Sequence, residues 1–386
     1  MKRVFILAIL INFIFAKELV ITKFIENRPS ISITFEGNKN WINLLKMDLR
    51  AVDHFKWRIN QDLKNSYKFK FIAYDKALRV KYYNNKGDAF LIKIYRTNNN
   101  KNYPFLIHKA VYDINKYFNL PDVKFLTRKV VYAVSNSPKE TSIYLADYTL
   151  TYKKLIVSGG VNIFPKWIDS AQTEIFYTKY KKYPVLYRLN ILTGKQKKVL
   201  VSNGMLVVSD IKGDKVLLTL APKGQPDIYE YNLKTKDLKR LTTYNGIDVN
   251  GKFWGDNKIV FISNRFNTPF VFQKDILTNK TQRVLYHGRN QVGVDTYKNF
   301  LVVSSRETNK VFARNTFNLF LINKNSDSLK RLTLHGQNSF PNFSVDGNSI
   351  MFIKTENFTS KLGLIRLKEN KIFYYPLSKK LQSFDW

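Results

Sequence analysis

The 386-residue sequence contains no cysteine. It therefore offers no disulfide framework, no Cys-ligated zinc or iron–sulfur site and no thiol nucleophile. Acidic residues are also scarce, since 29 Asp and Glu stand against 64 Lys and Arg and leave a formal net charge of +35. Such an excess is typical of proteins that bind nucleic acid or anionic membranes. Hydrophobic residues still make up 44% of the chain, which excludes a disordered basic tail and indicates a packed core.

Long apolar runs are equally rare, and the one present, residues 4–15, lies at the N-terminus between a Lys-Arg pair and Ala16. A basic start, about a dozen apolar residues and a small residue are typical of a secretory signal peptide, and the run is shorter than the roughly 20 residues of a membrane span. Ile14 departs from the pattern, because a small residue is usual at that position. We expect residues 1–16 to be a cleaved signal peptide and the mature protein to be exported and soluble. The alternative is a buried first strand.

Residues 17–123 mix strand and helix signals. Runs of β-branched and aromatic residues, such as 89–95, predict strands. Apolar residues recur at helical spacing over 40–50 and 106–118, so each of these segments is predicted to be an amphipathic helix. We expect a small α/β domain over residues 17–123, with His108 partly exposed on the second helix.

From residue 124 onward, short strands repeat at a regular interval. One marker strand begins at residues 130, 175, 216, 259, 301 and 350, so successive copies lie 41 to 49 residues apart. A second marker keeps a similar period, and four strands in about 40 to 45 residues is the period of a propeller blade. The predicted fold class is therefore mainly β, a six-bladed β-propeller over residues 124–386 preceded by the small α/β domain.

The propeller must also close its ring. The first repeat lacks the innermost strand seen at 163–167 and 339–343, whereas residues 381–386 resemble it. Pairing the last strand with the first repeat would protect both edges. We therefore predict that the C-terminal strand completes the first blade.

Several segments resemble one family. Residues 47–57 carry an Asp-Leu-Arg segment that runs into a following Phe, and residues 125–134 lead from the first domain into the repeats. Residues 163–169 and 340–352 are similar to a Pro-x-Trp/Phe-Ser-x-Asp-Gly blade motif, although three other repeats keep no full Ser-x-Asp-Gly. With the export signal and the small first domain, these segments resemble the TolB family of the Tol–Pal system over nearly the whole mature chain.

The resemblance implies a non-enzymatic periplasmic scaffold without a cofactor. Family members bind the lipoprotein Pal at the propeller mouth and TolA through the mature N-terminal segment, and they maintain outer-membrane integrity and invagination during cell division. A strand-forming terminus could add to the edge of a partner's sheet. The alternative is that this segment is a strand of its own domain. The N-terminal segment consists of Lys17, Glu18, Leu19, Val20, Ile21 and Thr22.

Motifs of catalysis are largely missing. The sequence has no Gly-x-Ser-x-Gly elbow and no His-Glu-x-x-His, and none of its four His lies within four residues of another, so we expect no metal site. Residues 246–253 match the spacing of a phosphate loop, but Phe253 replaces the required hydroxyl and a strand follows. An exported propeller enzyme acting on an envelope peptide or polysaccharide remains the alternative function. Its only candidate acids are Asp248 and Asp295.

The loops that enter the innermost strands define the predicted mouth, because propellers usually bind partners at the ends of the channel. Four of the six repeats place Gly and Asn there, which suits hydrogen bonding to an inserted peptide, although tight turns alone would produce the same residues. Arg289 and His335 are preferred, since turn geometry requires neither. The predicted contacts are Asn162, Asn245, Asp248, Arg289, Asn290, His335 and Asn338.

The positive charge does not mark a partner by its position along the chain. Residues 17–123 carry a net charge of +10 and residues 124–386 carry +23, which is nearly the same density per residue. A nucleic-acid footprint should concentrate on one face or domain. We therefore expect no nucleic-acid partner, a weak association with anionic envelope surfaces, and a monomer.

Overall fold

The computed structural model describes residues 28–84, 86–307, 316–326, 328–357 and 359–386. The predicted signal peptide and the N-terminal segment 17–22 lie outside these residues. Within them, the predicted fold class is confirmed: a small α/β domain is followed by six four-stranded units arranged as a β-propeller.

The first domain is a five-stranded sheet with two helices. Its sheet order is β2-β1-β3-β4-β5, in which β1 pairs in parallel with β2 and β3 and the remaining pairs are antiparallel. Asn38 caps the first helix by accepting the Asn40 N–H at 2.8 Å, and Pro104 stands in the first turn of the second. The elements are β1 (Ser30–Glu36), α1 (Lys39–Val52), β2 (Lys56–Ile59), β3 (Tyr67–Ala73), β4 (Ala77–Tyr83), β5 (Ala89–Arg96) and α2 (Tyr103–Tyr117).

Both helices cover the same face of this sheet. Alternate residues of β1, such as Ile31 and Ile33, are buried against Leu44 and Leu45 of α1 and Ile107 of α2. The other strands follow the same alternation, since successive side chains of a strand point to opposite faces. The sheet therefore has one face packed on helices and one face that no described helix or strand covers, although the connection between β2 and β3 buries Ser32 on it.

The propeller strands form six blades. Blade 1 contains β6 to β8 and β29, and blades 2 to 6 contain β9–β12, β13–β16, β17–β20, β21–β24 and β25–β28. In chain order they are β6 (Lys129–Ser137), β7 (Glu140–Asp147), β8 (Lys153–Val157), β9 (Val161–Trp167), β10 (Glu174–Tyr180), β11 (Pro184–Asn190), β12 (Gln196–Val201), β13 (Leu206–Lys212), β14 (Lys215–Leu220), β15 (Asp227–Asn232), β16 (Leu238–Arg240), β17 (Asp248–Phe253), β18 (Lys258–Ser263), β19 (Phe270–Asp275), β20 (Thr281–Arg283), β21 (Asn290–Tyr297), β22 (Phe300–Arg306), β23 (Phe317–Asn323), β24 (Ser328–Arg331), β25 (Gln337–Phe343), β26 (Ser349–Glu356), β27 (Thr359–Arg366), β28 (Lys371–Leu377) and β29 (Leu381–Asp385).

The C-terminal strand is the innermost strand of blade 1. β29 pairs antiparallel with β6, with Leu381 opposite Val134 and Asp385 opposite Val131. Blade 1 therefore draws its strands from both ends of the propeller sequence.

The topology gives the propeller two different ends. Because each blade is an antiparallel meander, the loops that enter the innermost strands lie at one end, and the turns between the third and fourth strands lie at the other. The first domain packs against those turns in blades 1 and 6, where His108 contacts Asp147 and His54 contacts Glu369. The first domain therefore sits at the end opposite the predicted mouth.

Candidate functional site: the propeller channel

The six innermost strands enclose a central cavity of about 260 Å³. Each of them contributes to its wall, and the cavity opens toward the loops that enter these strands. Lining side chains include Phe164 of β9, Val207 of β13, Val249 of β17, Val292 of β21, Phe340 of β25 and Phe384 of β29. The wall is thus mainly apolar.

Every innermost strand carries a β-bulge. The pairing of each with its neighbour shifts register midway along the strand. In the even-numbered blades the bulge holds a non-glycine residue in the left-handed region, with φ of 56° at Phe164, 57° at Asn250 and 51° at Phe340. A bulge bends the strand and re-aims the side chains beside it. In this channel the side chains beside the bulges are polar, and they lie farther from the entry loops than the apolar wall does.

One polar side chain from each blade forms what we call the channel ring. The odd-numbered blades supply Asp and the even-numbered blades supply Lys or Asn. Each Asp accepts the main-chain N–H of the next blade, at 2.9 Å from Trp167, 2.9 Å from Phe253 and 2.7 Å from Phe343. The ring therefore ties neighbouring blades together. In blade order, its members are Asp385, Lys166, Asp210, Lys252, Asp295 and Asn342.

Ion pairs and an amide hydrogen bond join ring members. Lys166 Nζ lies 2.7 Å from Asp385 Oδ1, and Lys252 Nζ lies 3.0 Å from Asp295 Oδ1. Asn342 Nδ2 donates to Asp385 Oδ1 at 2.9 Å. Burial alone would lower the pKa of Lys166, but the ring carboxylates outweigh it and raise that pKa above its usual value.

Asp210 is the unbalanced member of the ring. It accepts the Phe253 N–H, and desolvation inside the channel raises its pKa, although Lys252 and Lys166 partly offset that effect. Three carboxylates thus share two ammonium groups. The ring lies between the apolar cavity and a second cavity of about 360 Å³ toward the other end of the channel, so a molecule entering from the loop end would meet these polar groups.

Three of the predicted mouth residues, Asn162, Asn338 and Asp248, are buried and stabilise the propeller instead of facing a partner. Asn162 is buried and its Nδ2 donates to the carbonyls of Thr141 and Gly160, both at 3.1 Å. Asn338 is buried in the same way, and its Nδ2 donates to the carbonyls of Phe317 at 2.8 Å and His335 at 3.0 Å. These two amides hold the loops that enter β9 and β25, which corrects their prediction as partner contacts.

The prediction that Asp248 is a partner contact is also corrected. Its carboxylate is buried and lies 3.1 Å from Arg265 Nη2. Asp295 is a ring member paired with Lys252. Each of these two acids is therefore bound to a cation, and neither is presented as a general acid or base for an enzyme.

The other predicted contacts lie where a partner could reach them. Asn245, Arg289 and His335 are exposed on the loops that precede β17, β21 and β25, and Asn290, the first residue of β21, is half-buried. The structure thus brings these four side chains to the same end of the channel.

An apolar rim at this end was missed by the sequence analysis. Met205 and Val292 are 42% and 46% exposed, and Ile247 and Phe340 are exposed to a similar degree. Val292 and Phe340 lie on innermost strands, where apolar residues are usually core, although every second residue of such a strand faces the channel. Met205 and Ile247 directly precede β13 and β17, where the sequence prediction considered only the polar residues of the loops. An apolar concave surface edged by a few polar groups suits an inserted peptide or side chain.

The interface between the two domains contains a buried histidine cluster. His108 is only 1% exposed, which corrects the prediction that it is a surface residue. Its Nδ1 lies 2.8 Å from Asp48 Oδ2, its Nε2 lies 3.1 Å from Asp147 Oδ2, and the Tyr148 hydroxyl donates to Asp48 at 2.6 Å. Burial would lower the pKa of His108, but the two carboxylates outweigh it and raise it to about 9.

A second histidine makes a parallel contact. His54 is buried, with Nδ1 at 2.6 Å from Asn115 Oδ1 and Nε2 at 2.8 Å from Glu369 Oε1. Both histidines therefore link a helix of the first domain to a propeller carboxylate. In the described part of the chain, no His, Asp or Glu side chains form a group of three or more that could hold a metal ion. The described helices include none that is long and apolar enough to cross a membrane.

Comparisons with known proteins agree with this architecture. A family model described as the TolB beta propeller domain matches residues 122–372. The Tol-Pal system protein TolB of Campylobacter jejuni (strain RM1221) is 43% identical over 358 residues, which cover 90% of this chain and 88% of that protein. Its counterpart in Helicobacter pylori (strain HPAG1) is 35% identical over 96% of both chains. The crystal structure of TolB from Acinetobacter baumannii has a TM-score of 0.76 at 18% identity and covers 93% of this chain and 96% of that one, so it shows the shared fold.

Proposed function

This chain belongs to the TolB family of Tol–Pal system proteins, and from that premise we propose that it is a scaffold with two partner-binding regions. The propeller mouth binds Pal, and the N-terminal segment 17–22 binds TolA. Through both contacts the protein maintains outer-membrane integrity and invagination during cell division. As a member of this family it is a periplasmic, non-enzymatic propeller protein, which sets aside the alternative of an envelope-processing enzyme.

The apolar cavity that ends at the channel ring carries the proposal for Pal. Apolar walls lie above the channel ring, and the exposed rim of Met205, Ile247, Val292 and Phe340 surrounds the opening. A peptide segment can therefore enter from one end, bury apolar side chains against the wall and end at the ring. Exposed polar groups such as Arg289 would orient it.

The proposal for TolA rests on the sequence of the N-terminal segment. Residues 17–22 combine β-branched and apolar residues, which favours addition to the edge of a partner's sheet. We further propose that the signal peptide is cleaved after residue 16, that the two domains divide near residue 123, and that the mature protein is a monomer.

Titration calorimetry with purified Pal tests the mouth. Met205→Ser and Val292→Ser remove apolar area from the rim, and each should weaken Pal binding by about tenfold. Leu277→Ser is the matched control, because Leu277 is exposed on a turn at the opposite end of the propeller. Equal affinity for the rim variants and the control would refute binding at the mouth. Deleting residues 17–22 should abolish TolA binding and leave Pal binding unchanged.

A further inference from the structure

The open face of the first domain's sheet has an unusual composition. The helices α1 and α2 lie between the sheet and the propeller, as the contacts of His108 and His54 show. The opposite face points away from the propeller, and among the described residues the connection between β2 and β3 covers it only around Ser32, whose hydroxyl accepts the Leu63 N–H at 2.7 Å. Strand pairing shows which side chains this face presents.

Cations dominate the open face. Paired positions place Arg58 beside Ser32, Ser32 beside Lys68, and Lys70 opposite Lys81. We call the following six residues the cationic face: Lys56 and Arg58 of β2, Lys68 and Lys70 of β3, and Arg79 and Lys81 of β4.

Acidic side chains neutralise only part of the cationic face. Glu36 pairs with Lys70 at 2.5 Å and Asp62 pairs with Lys68 at 3.1 Å. Among the described residues, the other four cations have no salt-bridge partner. Like charges directly opposite each other in a sheet are destabilising, and Glu36 offsets the charge of Lys70 but not that of Lys81, which faces it.

Apolar side chains continue the cationic face to the edge of the sheet. Ile92 lies opposite Lys81 and Ile94 lies opposite Arg79, on the edge strand β5. These two side chains are 51% and 43% exposed. The same surface thus combines a row of cations with a row of exposed isoleucines.

We propose that the cationic face binds the surface of a bilayer containing anionic phospholipids. Headgroup phosphates attract Lys and Arg near a membrane, and exposed apolar side chains beside them can enter the headgroup boundary. The two isoleucines favour a membrane over a nucleic acid, whose phosphate backbone would need the cations alone. The sequence between the predicted signal peptide and the first described residue, 17–27, does not match the face by charge, because it carries two Lys and two Glu.

The cationic face and the propeller mouth lie at opposite ends of the molecule. The first domain lies at the end of the propeller opposite the mouth. A molecule held on a bilayer by the cationic face therefore keeps its mouth open for a protein partner, and lipid binding is independent of what the mouth binds.

Vesicle co-sedimentation of the mature chain tests the proposal. The triple variant Lys68→Glu, Arg79→Glu, Lys81→Glu is compared with Lys195→Glu, Lys197→Glu, Lys198→Glu, which makes the same change in charge on exposed positions of blade 2. Vesicles of phosphatidylglycerol and phosphatidylcholine should bind the wild type and the blade 2 triple, while the face triple should bind at least about tenfold more weakly. Vesicles of phosphatidylcholine alone should bind none of them strongly.

Two further measurements separate the electrostatic contribution to membrane binding from the apolar contribution. Raising the salt from about 0.1 M to about 1 M, which shortens the screening length from about 10 Å to about 3 Å, should release most of the wild type. Ile92→Ser, Ile94→Ser should weaken binding at low salt with no change in charge. If the face triple unfolds, as judged by circular dichroism, the neutral pair Arg79→Gln, Lys81→Gln is compared with Lys197→Gln, Lys198→Gln instead.

Two outcomes would overturn the proposal. Equal loss of binding in the face variants and their blade 2 controls would mean that net charge alone drives association. Binding of a short oligonucleotide or polyphosphate without binding of phosphatidylglycerol vesicles would assign the face to a polyanion in solution.

Discussion

The Nζ of Lys166 lies 2.7 Å from Oδ1 of Asp385, so an ion pair inside the channel joins blade 2 to the C-terminal strand. The other oxygen of Asp385 accepts the Trp167 N–H at 2.9 Å, and Asn342 of blade 6 donates to the first oxygen. One carboxylate thus links blades 6, 1 and 2 at the point where the ring of blades closes. Closure depends on this side chain as well as on the pairing of β29 with β6.

Deleting residues 381–386 should therefore lower the melting temperature by many degrees. The deletion exposes the edge of β6 and leaves Lys166 without its carboxylate, and removing one partner of a buried pair alone costs about 3 to 5 kcal/mol. Differential scanning calorimetry measures the effect. The variant Lys379→Ala, Lys380→Ala, just before β29, is the control and should melt like the wild type. A truncated protein that also melts like the wild type would contradict closure by the C-terminal strand.

Two Asp→Asn substitutions in the channel ring should have opposite effects. Desolvation raises the pKa of Asp210, so its charge costs stability at neutral pH, and that cost disappears as the pH falls through the raised pKa. Asp210→Asn keeps an acceptor for the Phe253 N–H and should leave the free energy of unfolding at pH 7 unchanged or higher. Asp295→Asn removes the carboxylate of Lys252 and should cost about 3 kcal/mol.

Urea denaturation of the two variants at pH 7 and at pH 4 tests this contrast. The difference between Asp210→Asn and the wild type should shrink at the lower pH, where Asp210 gains its proton. Equal losses in both variants would mean that Asp210 is paired as well as Asp295.

The domain interface should weaken at alkaline pH. The pKa of His108 is raised from 6.5 to about 9, so its contribution to stability is complete below pH 6.5 and is lost as the pH rises through 9. The cause is the position of the ring between Asp48 and Asp147, with the Tyr148 hydroxyl also on Asp48. Melting temperatures measured from pH 6 to pH 10 should fall across this window.

Substituting His108 distinguishes its contribution to the pH dependence of the melting temperature from that of other titrating groups. His108→Gln should melt lower than the wild type at pH 6 and should lose the part of the pH dependence between 6.5 and 9 that His108 supplies. His335→Gln, at an exposed position, should keep the wild-type profile. An unchanged slope in His108→Gln would show that His108 is not the titrating group.

The overall fold was accessible from the sequence because its signals are periodic. Six marker strands about one blade apart predicted the propeller, and the predicted helices 40–50 and 106–118 appear as Lys39–Val52 and Tyr103–Tyr117. Apolar periodicity directly reflects burial, so it survives even where the Ser-x-Asp-Gly motif is degraded.

The His108 cluster, the channel ring and the cationic face could not be predicted from the sequence in this way. His108 is neutralised by acids 60 and 39 residues away along the chain, which no local pattern reveals. The channel ring alternates Asp with Lys or Asn, so equivalent positions share no single residue type. The net charge per residue is similar in both domains, so it does not reveal the cationic face. The face becomes visible only in the strands, where the spacing Lys68-x-Lys70 in β3 and Arg79-x-Lys81 in β4 places these cations on one side of the sheet.

The polar side chains on the loops of the mouth should contribute to Pal binding. Arg289 and His335 are exposed on the loops that enter β21 and β25, above the apolar rim. Arg289→Glu reverses a charge at that opening and should weaken binding of Pal by about tenfold, while His335→Ala removes one hydrogen-bonding group and should weaken it by a few-fold. Neither change removes a buried contact, so melting temperatures should stay within about 2 °C of the wild type. Asn338→Ala is the informative contrast, because it removes the buried amide that donates to the carbonyls of Phe317 and His335, and it should lower stability. Unchanged affinity for Pal in both loop variants would remove these two residues from the mouth.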